Sequence, residues 1–302
     1  MLLLLASSDV QVAHRKVLTT DGAALALYSY APVGRGEGKS AVLIIADVGF
    51  GRRLVTPLAE FLVHTGRRVF VAELRGQGAA DPSHSLRTTF ALDFPAIAWA
   101  VRLETKDQPV DLIAHGYLGT LALAATTNGL SVNKVVALNT PVLAEQPTKL
   151  LGDFLAHGGR FSTLSASPDG FATFLHLFAL GSRADRRELA STLNNATRDL
   201  GADVSEELLA WMESGDLPFD DGTTVTSRLR AYDRPTLLLL GLADTFAPTE
   251  SCAPLRELAP KAKVKVRLFS RVVQGDDYAH ASLFIGTRAR DQVFSEIEEF
   301  LR

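Results

Sequence analysis

The chain has 302 residues, of which 47% are hydrophobic and 22% are charged, and its formal net charge is −3. This composition is typical of a globular protein with a sizeable core, and it excludes the strongly basic surface that nucleic-acid binding requires. The single cysteine, Cys252, excludes an intramolecular disulfide and is compatible with a reducing compartment.

The chain begins with an apolar run from Met1 to Ala6. This run lacks the positive flank and the length of a secretory signal, so we expect an ordinary terminus. No later stretch approaches the roughly 20 apolar residues of a membrane-spanning helix. We therefore expect a cytoplasmic protein without a membrane span, and the sequence leaves its oligomeric state open.

Short apolar runs alternate with segments of helical periodicity over the first half of the chain. Asp21-Gly22 separates the first two runs and is typical of a tight hairpin turn. Strands joined by crossover helices indicate a mostly parallel sheet with helices on both faces. Predicted strands are 17–20, 24–30, 41–46, 69–73, 110–114 and 135–138, with helices over 54–62, 93–101 and 117–126.

The alternation stops after Pro141 and resumes at Pro235. The intervening stretch shows only helical patterns, which indicates a helical cap (141–234) inserted into an α/β core (1–140 and 235–302). Such a cap would lie over the carboxyl edge of the sheet, where open α/β sheets bind ligands. The predicted cap helices are 143–155, 171–180, 183–193 and 205–212, followed by strands 236–240 and 264–268 and a last helix that ends at residue 301.

The most informative segment runs from Val110 to Thr120, where a buried strand enters a helix through small residues. A nucleophile elbow of the pattern G-x-S-x-G has this form, because its turn leaves little room for side chains. Here Gly116 stands at the serine position. The segment, together with Arg75-Gly76-Gln77-Gly78 after an earlier strand, resembles the α/β-hydrolase superfamily, particularly its capped esterase- and lipase-like members.

The resemblance implies an acid and a histidine later in the chain, in that order after the elbow. Asp244 follows the apolar strand 236–240, and His280 lies in a loop ahead of the last helix. In such a triad the acid orients the imidazole, and the imidazole takes a proton from the group at the elbow. Each residue alone is also compatible with an ordinary loop position.

The region that would bind the oxyanion departs from the family pattern. Ala46 and Asp47 stand where many relatives have a His-Gly pair. The backbone amides of Val48 and Tyr117 would then form the oxyanion hole. A carboxylate at Asp47 would oppose negative charge there unless a nearby arginine or a proton neutralised it; alternatively, it caps the helix that begins near residue 54 or bonds its own loop.

Glycine has no group that could form an acyl-enzyme, so ordinary serine hydrolysis is not expected. Candidate substitutes for the nucleophile are poorly placed. Thr120 lies one helical turn beyond the elbow, and Ser251 and Cys252 lie where a helix is predicted to begin. Ser282 follows His280 too closely in the sequence to present its hydroxyl easily to that ring.

Two other hypotheses, a dinucleotide-binding site and a metal site, receive less support from the sequence. Gly49-Phe50-Gly51, with Glu73 at the end of the next strand, resembles a dinucleotide fingerprint but has Leu54 where the third glycine is needed. The seven histidines do not cluster with acids or cysteine as metal ligands would. We therefore predict neither a cofactor nor a metal.

Three hypotheses follow for function. The first is a protein that keeps the hydrolase fold, is impaired or inactive as a serine hydrolase, and binds a small, partly apolar ligand or ester-like molecule under the cap. The second is a serine-independent enzyme in which His280 and Asp244 act as an acid/base pair. The third is an esterase or lipase whose nucleophile has been engineered to Gly116; it does not account for Ala46 and Asp47.

Overall fold

The structure is a computed structural model that describes residues 9–33, 39–81, 85–143, 147–178, 191 and 194–302. Within these residues one eight-stranded sheet forms the core. In chain order its strands are β1 (Val10–Leu18), β2 (Ala24–Pro32), β3 (Val42–Ile45), β4 (Val69–Glu73), β5 (Val110–His115), β6 (Val132–Leu138), β7 (Thr236–Gly241) and β8 (Val264–Phe269). Their order in the sheet is β1-β2-β4-β3-β5-β6-β7-β8. β2 pairs antiparallel with β1 and β4, whereas every later neighbouring pair is parallel. The predicted mostly parallel α/β sheet is therefore confirmed.

The central strands β3, β4, β5 and β7 are buried along their whole length, which is why they appear in the sequence as continuous apolar runs. The first strand, β1, is longer than predicted because most of its side chains are exposed at the sheet edge and leave no apolar run. Its last residue, Leu18, pairs with Ala24 across the predicted turn at Asp21-Gly22.

Helices cover both faces of the sheet. The segment predicted to start near residue 93 begins earlier, at Leu86, where the side chain of Ser85 accepts a hydrogen bond from the Thr88 amide. A π-helical turn over Thr89–Asp93 then continues into the helix Phe94–Glu104. The core helices are α1 (Arg52–His64), α2 (Leu86–Thr88), α3 (Phe94–Glu104) and α4 (Gly116–Ala125), and the last helical segment comprises a π-helical turn (Arg290–Phe294) and a helix (Ser295–Leu301).

Between β6 and β7 the described residues form helices joined by loops, and their β-structure is limited to isolated bridges at Thr197 and between Pro218 and Thr224. We name this stretch (149–231) the helical insertion. The helix predicted over 183–193 lies outside the described residues except at Ser191. The described helices are Lys149–Ala156, Phe161–Ser165, Pro168–Phe178, Ala202–Ser214 and Val225–Ala231.

The helical insertion is hydrogen-bonded to two loops that follow strands of the core. The Gly51 amide donates to the Ala196 carbonyl, and the Arg198 amide donates to the Gly49 carbonyl, each at 2.7 Å. The Ala281 amide donates to the Phe178 carbonyl, also at 2.7 Å. The insertion is therefore bonded directly to the loops after β3 and β8. No helix in the described part of the chain is long and apolar enough to cross a membrane.

Candidate active site

The turn between β5 and α4 has the geometry of a nucleophile elbow. The strand ends at His115 and the helix begins at Gly116, with no residue between them. Gly116 has a φ of +60°, a left-handed conformation that glycine adopts without the steric cost of a side chain. Gly119 lies against the strand, since a Cβ there would come within 2.9 Å of the Ala114 carbonyl carbon.

The carboxylate of Asp47 fills the space that a side chain at residue 116 would need. A Cβ on Gly116 would lie 1.8 Å from Asp47 Oδ2, 2.0 Å from its Cγ and 2.6 Å from its Cβ. Asp47 follows β3 and its side chain is fully buried. In this arrangement, residue 116 can only be glycine.

Asp47 also occupies one of the two donors expected to form the oxyanion hole, the Val48 amide, together with the Leu118 amide. Its Oδ1 accepts hydrogen bonds from the Val48 amide at 2.7 Å and from the Leu118 amide at 3.0 Å. The sequence led us to expect the Tyr117 amide in the second position. Asp47 does not cap α1, whose N-cap is Gly51 and has no side-chain hydrogen bond. A carboxylate of the chain itself thus occupies the anion position between the Val48 and Leu118 amides.

The structure brings Asp244 and His280 together beside Asp47. The His280 Nδ1 atom lies 2.8 Å from Asp244 Oδ2 in a hydrogen bond. The His280 Nε2 atom lies 3.1 Å from Asp47 Oδ2. This second contact is poorly aligned for a hydrogen bond, so we describe it as a close ionic contact. Asp244 is fixed in turn, because its Oδ1 accepts from the Phe246 and Ala247 amides at 2.9 Å.

These two carboxylates change the protonation of His280. Burial alone would lower the pKa of His280, but the charge and hydrogen bond of Asp244, together with the charge of Asp47, outweigh it and raise the pKa to about 9. At neutral pH the ring is therefore an imidazolium, and its Nε2 has no lone pair with which to accept a proton.

Aromatic rings close off this group of charges from solvent. Phe50, Phe178 and Phe246 have ring centroids 5.6, 6.2 and 5.0 Å from that of His280. Phe50 follows the loop after β3, Phe178 ends a helix of the insertion, and Phe246 follows Asp244 by two residues. The side chains of His280, Asp47 and Asp244 are fully buried. The sequence pattern did not indicate Phe50 or Phe246 as residues of this site.

His115 is a second imidazole in the same cluster. Its ring centroid lies 4.1 Å from that of His280, and neither ring nitrogen has a hydrogen-bond partner among the described residues. Burial lowers the pKa of His115 well below its ordinary value, and the neighbouring His280 lowers it further. The site therefore pairs a charged imidazole with a neutral one.

The loop Arg75-Gly76-Gln77-Gly78 supports the loop that carries Asp47. The Gln77 Nε2 donates to the carbonyl oxygens of Ala46 at 3.0 Å and Asp47 at 2.8 Å, while its Oε1 accepts from the Leu74 amide at 2.8 Å. Gln77 is buried, and nothing in the sequence pattern beyond its place in this loop indicates its role. It fixes the backbone from which Asp47 projects.

Glu73 has a structural role rather than the ribose contact that a dinucleotide site would require. Its carboxylate accepts from the Arg52 amide at 2.8 Å and the Ala79 amide at 2.9 Å. It thereby holds the start of α1 against the neighbouring loop.

The other hydroxyl and thiol candidates are engaged elsewhere. Thr120 Oγ1 donates to the Pro141 carbonyl at 2.5 Å, and Ser282 Oγ accepts from the Ala279 amide at 2.6 Å. Ser251 and Cys252 are buried in a short helix, Thr249–Cys252, where the Cys252 thiol contacts the Ala247 carbonyl at 3.6 Å. None of these contacts places a nucleophile beside His280.

A cavity of about 670 Å³ lies between the Gly76–Gly78 turn and the helical insertion. Phe161 and Leu200 line it from the insertion, together with polar side chains that include Ser162 and Thr197. Asp47, Gly116, Asp244 and His280 are not among its lining residues. Within the described residues, no group of three or more histidine, cysteine or acidic side chains is arranged to hold a metal ion.

Solved structures of several esterases share this architecture. An esterase from Thermogutta terrifontis superposes with a TM-score of 0.67 at 19% identity, covering 96% of this chain and 98% of its own. The esterase EaEST from Exiguobacterium antarcticum gives 0.65 at 16% identity, covering 96% and 99%. An enol-lactonase from Burkholderia xenovorans gives 0.64 at 13% identity, covering 95% and 99%. These likenesses show the fold.

The sequence itself carries the family assignment. No curated protein matches it. The profile of the family described as alpha/beta hydrolase fold matches residues 49–286, which is well over half of the chain and includes the elbow, Asp244 and His280. The chain therefore belongs to the alpha/beta hydrolase fold family.

Proposed function

We propose that this chain is an α/β-hydrolase-fold protein that is impaired or inactive as a serine hydrolase and binds a small, partly apolar ligand beneath the helical insertion, which acts as a cap. One observation carries the proposal. The carboxylate of Asp47 lies where the nucleophile side chain would be. It accepts hydrogen bonds from the Val48 amide, which is an expected oxyanion-hole donor, and from the Leu118 amide in the first turn of α4.

Serine hydrolysis needs a nucleophile, a free oxyanion hole and an unprotonated base. Gly116 supplies no nucleophile, Asp47 fills the hole, and the raised pKa of His280 leaves the ring protonated at neutral pH. In a well-studied serine protease, loss of the nucleophile alone lowers kcat by about 10⁶-fold. Here all three requirements are unmet at once.

The same geometry bears on the two other hypotheses. A serine-independent enzyme with His280 as general base would need a neutral imidazole, and Asp47 opposes that state through its contact with Nε2. An engineered replacement of a serine would require a parent in which that serine fitted beside Asp47. A Cβ at residue 116 would already lie 1.8 Å from Asp47 Oδ2, so this arrangement does not accommodate such a parent.

The 670 Å³ cavity supports the ligand-binding half of the proposal. It has the size of a small-molecule site and combines apolar walls from Phe161 and Leu200 with polar side chains. It also lies at the carboxyl edge of the sheet, where α/β folds bind ligands. The named neighbours are esterases and an enol-lactonase, which favours an ester-like or similarly sized organic ligand.

The catalytic half can be tested on the unmodified chain with p-nitrophenyl acetate, p-nitrophenyl butyrate and a fluorophosphonate probe. We expect no burst, no labelling in intact-mass spectra, and hydrolysis no faster than with His280→Ala. Labelling at any residue, or turnover that His280→Ala removes, would contradict the proposal.

The binding half can be tested by thermal unfolding in the presence of phenyl acetate, a small ester with an apolar ring. We expect the melting temperature of the parent chain to rise with ester concentration and to saturate. Ala80→Trp would place a large side chain in the cavity lining and should abolish this rise while leaving the circular dichroism spectrum unchanged. An equal rise in both proteins would place the ligand elsewhere.

A further inference from the structure

The surroundings of Asp47 form an anion-binding site in their own right. The Val48 and Leu118 amides donate to Oδ1 at 2.7 and 3.0 Å, and the protonated His280 ring contacts Oδ2 at 3.1 Å. All of these groups are buried. Two amide donors and a cation around one carboxylate are the elements that stabilise an oxyanion.

We propose that Asp47 is the internal ligand of a preserved anion site, and that a small external carboxylate binds there once the Asp47 side chain is removed. The inference goes beyond the loss of hydrolysis in the native chain, because it concerns what the remaining donors recognise. It also makes Asp47 and Gly116 a coupled pair, in which the first fills the space that the second leaves.

Whether a side chain fits at residue 116 depends on which residue replaces Asp47. A Cβ at residue 116 would lie 2.6 Å from Asp47 Cβ, closer than two such carbons can approach. An alanine at residue 47 would therefore still obstruct a serine at residue 116, whereas a glycine would not. Serine chemistry at the elbow should return only in D47G/G116S, with D47A/G116S as the matched control.

Removal of Asp47 also changes the imidazole. One of the two carboxylates that raise the pKa of His280 is lost, so the pKa falls from about 9 and Nε2 carries a lone pair in a larger fraction of molecules. Asp244 still orients the ring through Nδ1.

The hydroxyl introduced by Gly116→Ser could then attack an electrophile. With a fluorophosphonate, the serine oxygen forms a bond to phosphorus, its proton passes to His280 Nε2, and the P–F bond breaks to release fluoride. The phosphoryl oxygen accepts the Val48 and Leu118 amide hydrogen bonds that Asp47 holds in the native chain.

The test of anion binding is thermal unfolding of Asp47→Gly in sodium formate against sodium chloride at matched ionic strength. The measurement reports an equilibrium, so a closed site does not prevent binding from registering. We expect formate to raise the melting temperature of Asp47→Gly saturably, and to have no such effect on the parent chain. Asp276→Gly, a change at another buried loop aspartate, is the matched control and should not respond.

The second readout is intact-mass labelling of D47G/G116S and D47A/G116S with diisopropyl fluorophosphate over several hours. We expect labelling of the first variant only. The proposal is overturned if formate does not raise the melting temperature of Asp47→Gly. If that variant is unfolded in chloride, the proposal is overturned if formate does not restore its folding. It is equally overturned if D47G/G116S stays unlabelled or D47A/G116S labels as fast. Native-chain labelling would instead contradict the proposed function.

Discussion

Asp47 and Asp244 contact opposite nitrogens of one buried imidazole, with Nε2 3.1 Å from the first carboxylate and Nδ1 2.8 Å from the second. Charges in such a dry environment persist only when they are paired, because desolvation of an isolated ion is costly. His280 is therefore held as a cation by its two neighbours, and Asp47 is held by that cation and two amides. Each member of the group depends on the others.

The stability of the protein should depend on pH through His280. The folded-state pKa of about 9 lies above the ordinary value of 6.5, so the folded state binds the proton more tightly than the unfolded state. The contribution is fully present below about pH 6.5 and is lost as the pH rises through about 9. We expect the free energy of unfolding in urea to fall between these values.

A matched variant separates His280 from other titrating groups. His280→Gln is uncharged throughout the window and should lose the part of the pH dependence that the histidine carries. The ring itself can be followed by its ¹⁵N chemical shifts, which should titrate near pH 9 in the parent chain and at a lower pH in Asp47→Asn. A ring that titrates near 6.5 in the parent would show that the two carboxylates do not hold the proton.

Gly116→Ser alone should not restore hydrolysis. The new Cβ would overlap the Asp47 carboxylate, and forced overpacking of a core typically costs 1–3 kcal/mol. Gly116→Ala introduces the same Cβ without a hydroxyl and should destabilise the chain by a similar amount. Urea unfolding of the three proteins, with phosphonate labelling of the serine variant, tests both expectations. A stable, labelled serine variant would mean that Asp47 moves aside readily.

The sheet and the place of the site could be predicted because both leave local signals. Apolar runs such as Val69–Glu73 and Thr236–Gly241 mark buried strands, and the small residues around Gly116 mark the elbow. Loop positions after consecutive strands then bring Asp244 and His280 to one edge of the sheet.

The occupancy of the site could not be predicted in the same way. Asp47 bonds its own loop at Val48 and also reaches the elbow helix at Leu118. The second contact depends on the direction of the side chain, which the residue types of its sequence neighbours do not determine. The decisive contact joins Asp47 to residues about 70 positions away, Gly116 and Leu118. The closure by Phe178 likewise depends on how the helical insertion packs, and its sequence shows only helical periodicity.

Replacement of glycine by alanine should change stability in opposite directions at two glycines within helices, because only Gly119 packs closely against a strand. Gly119→Ala would bring a Cβ to 2.9 Å from the Ala114 carbonyl carbon and 3.1 Å from Thr140 Oγ1, so we expect a loss of about 1–3 kcal/mol. Gly152→Ala lies in an open part of helix Lys149–Ala156, with its nearest contact, Pro147 Cγ, at 3.7 Å.

The second glycine therefore provides the control. Alanine is favoured over glycine inside a helix by up to about 1 kcal/mol, so Gly152→Ala should be neutral or stabilising. Urea unfolding measures both variants against the parent. Equal destabilisation by the two changes would show that strand–helix contact at Gly119 is not the cause.

Arg75 should prove essential for stability rather than for binding. Its side chain is fully buried, and its Nε donates to Asp93 Oδ1 at 2.8 Å, while its backbone amide donates to Asp93 Oδ2 at 3.0 Å. Arg75→Met would leave a buried carboxylate without its cation, and breaking a buried pair in this way typically costs 3–5 kcal/mol. Burial already raises the pKa of Asp93, so the variant should be least destabilised at acidic pH, where that carboxyl is protonated.

A double-mutant cycle distinguishes loss of the pair from loss of packing. Asp93→Leu removes the acid that Arg75→Met would strand, so the double variant should be more stable than the sum of the two single changes predicts. The size of this difference in urea unfolding reports the coupling between the side chains. Strict additivity would mean that Arg75 stabilises the loop through its methylenes and its bonds to Thr19 and Asp21, and that Asp93 is held by the backbone amide alone.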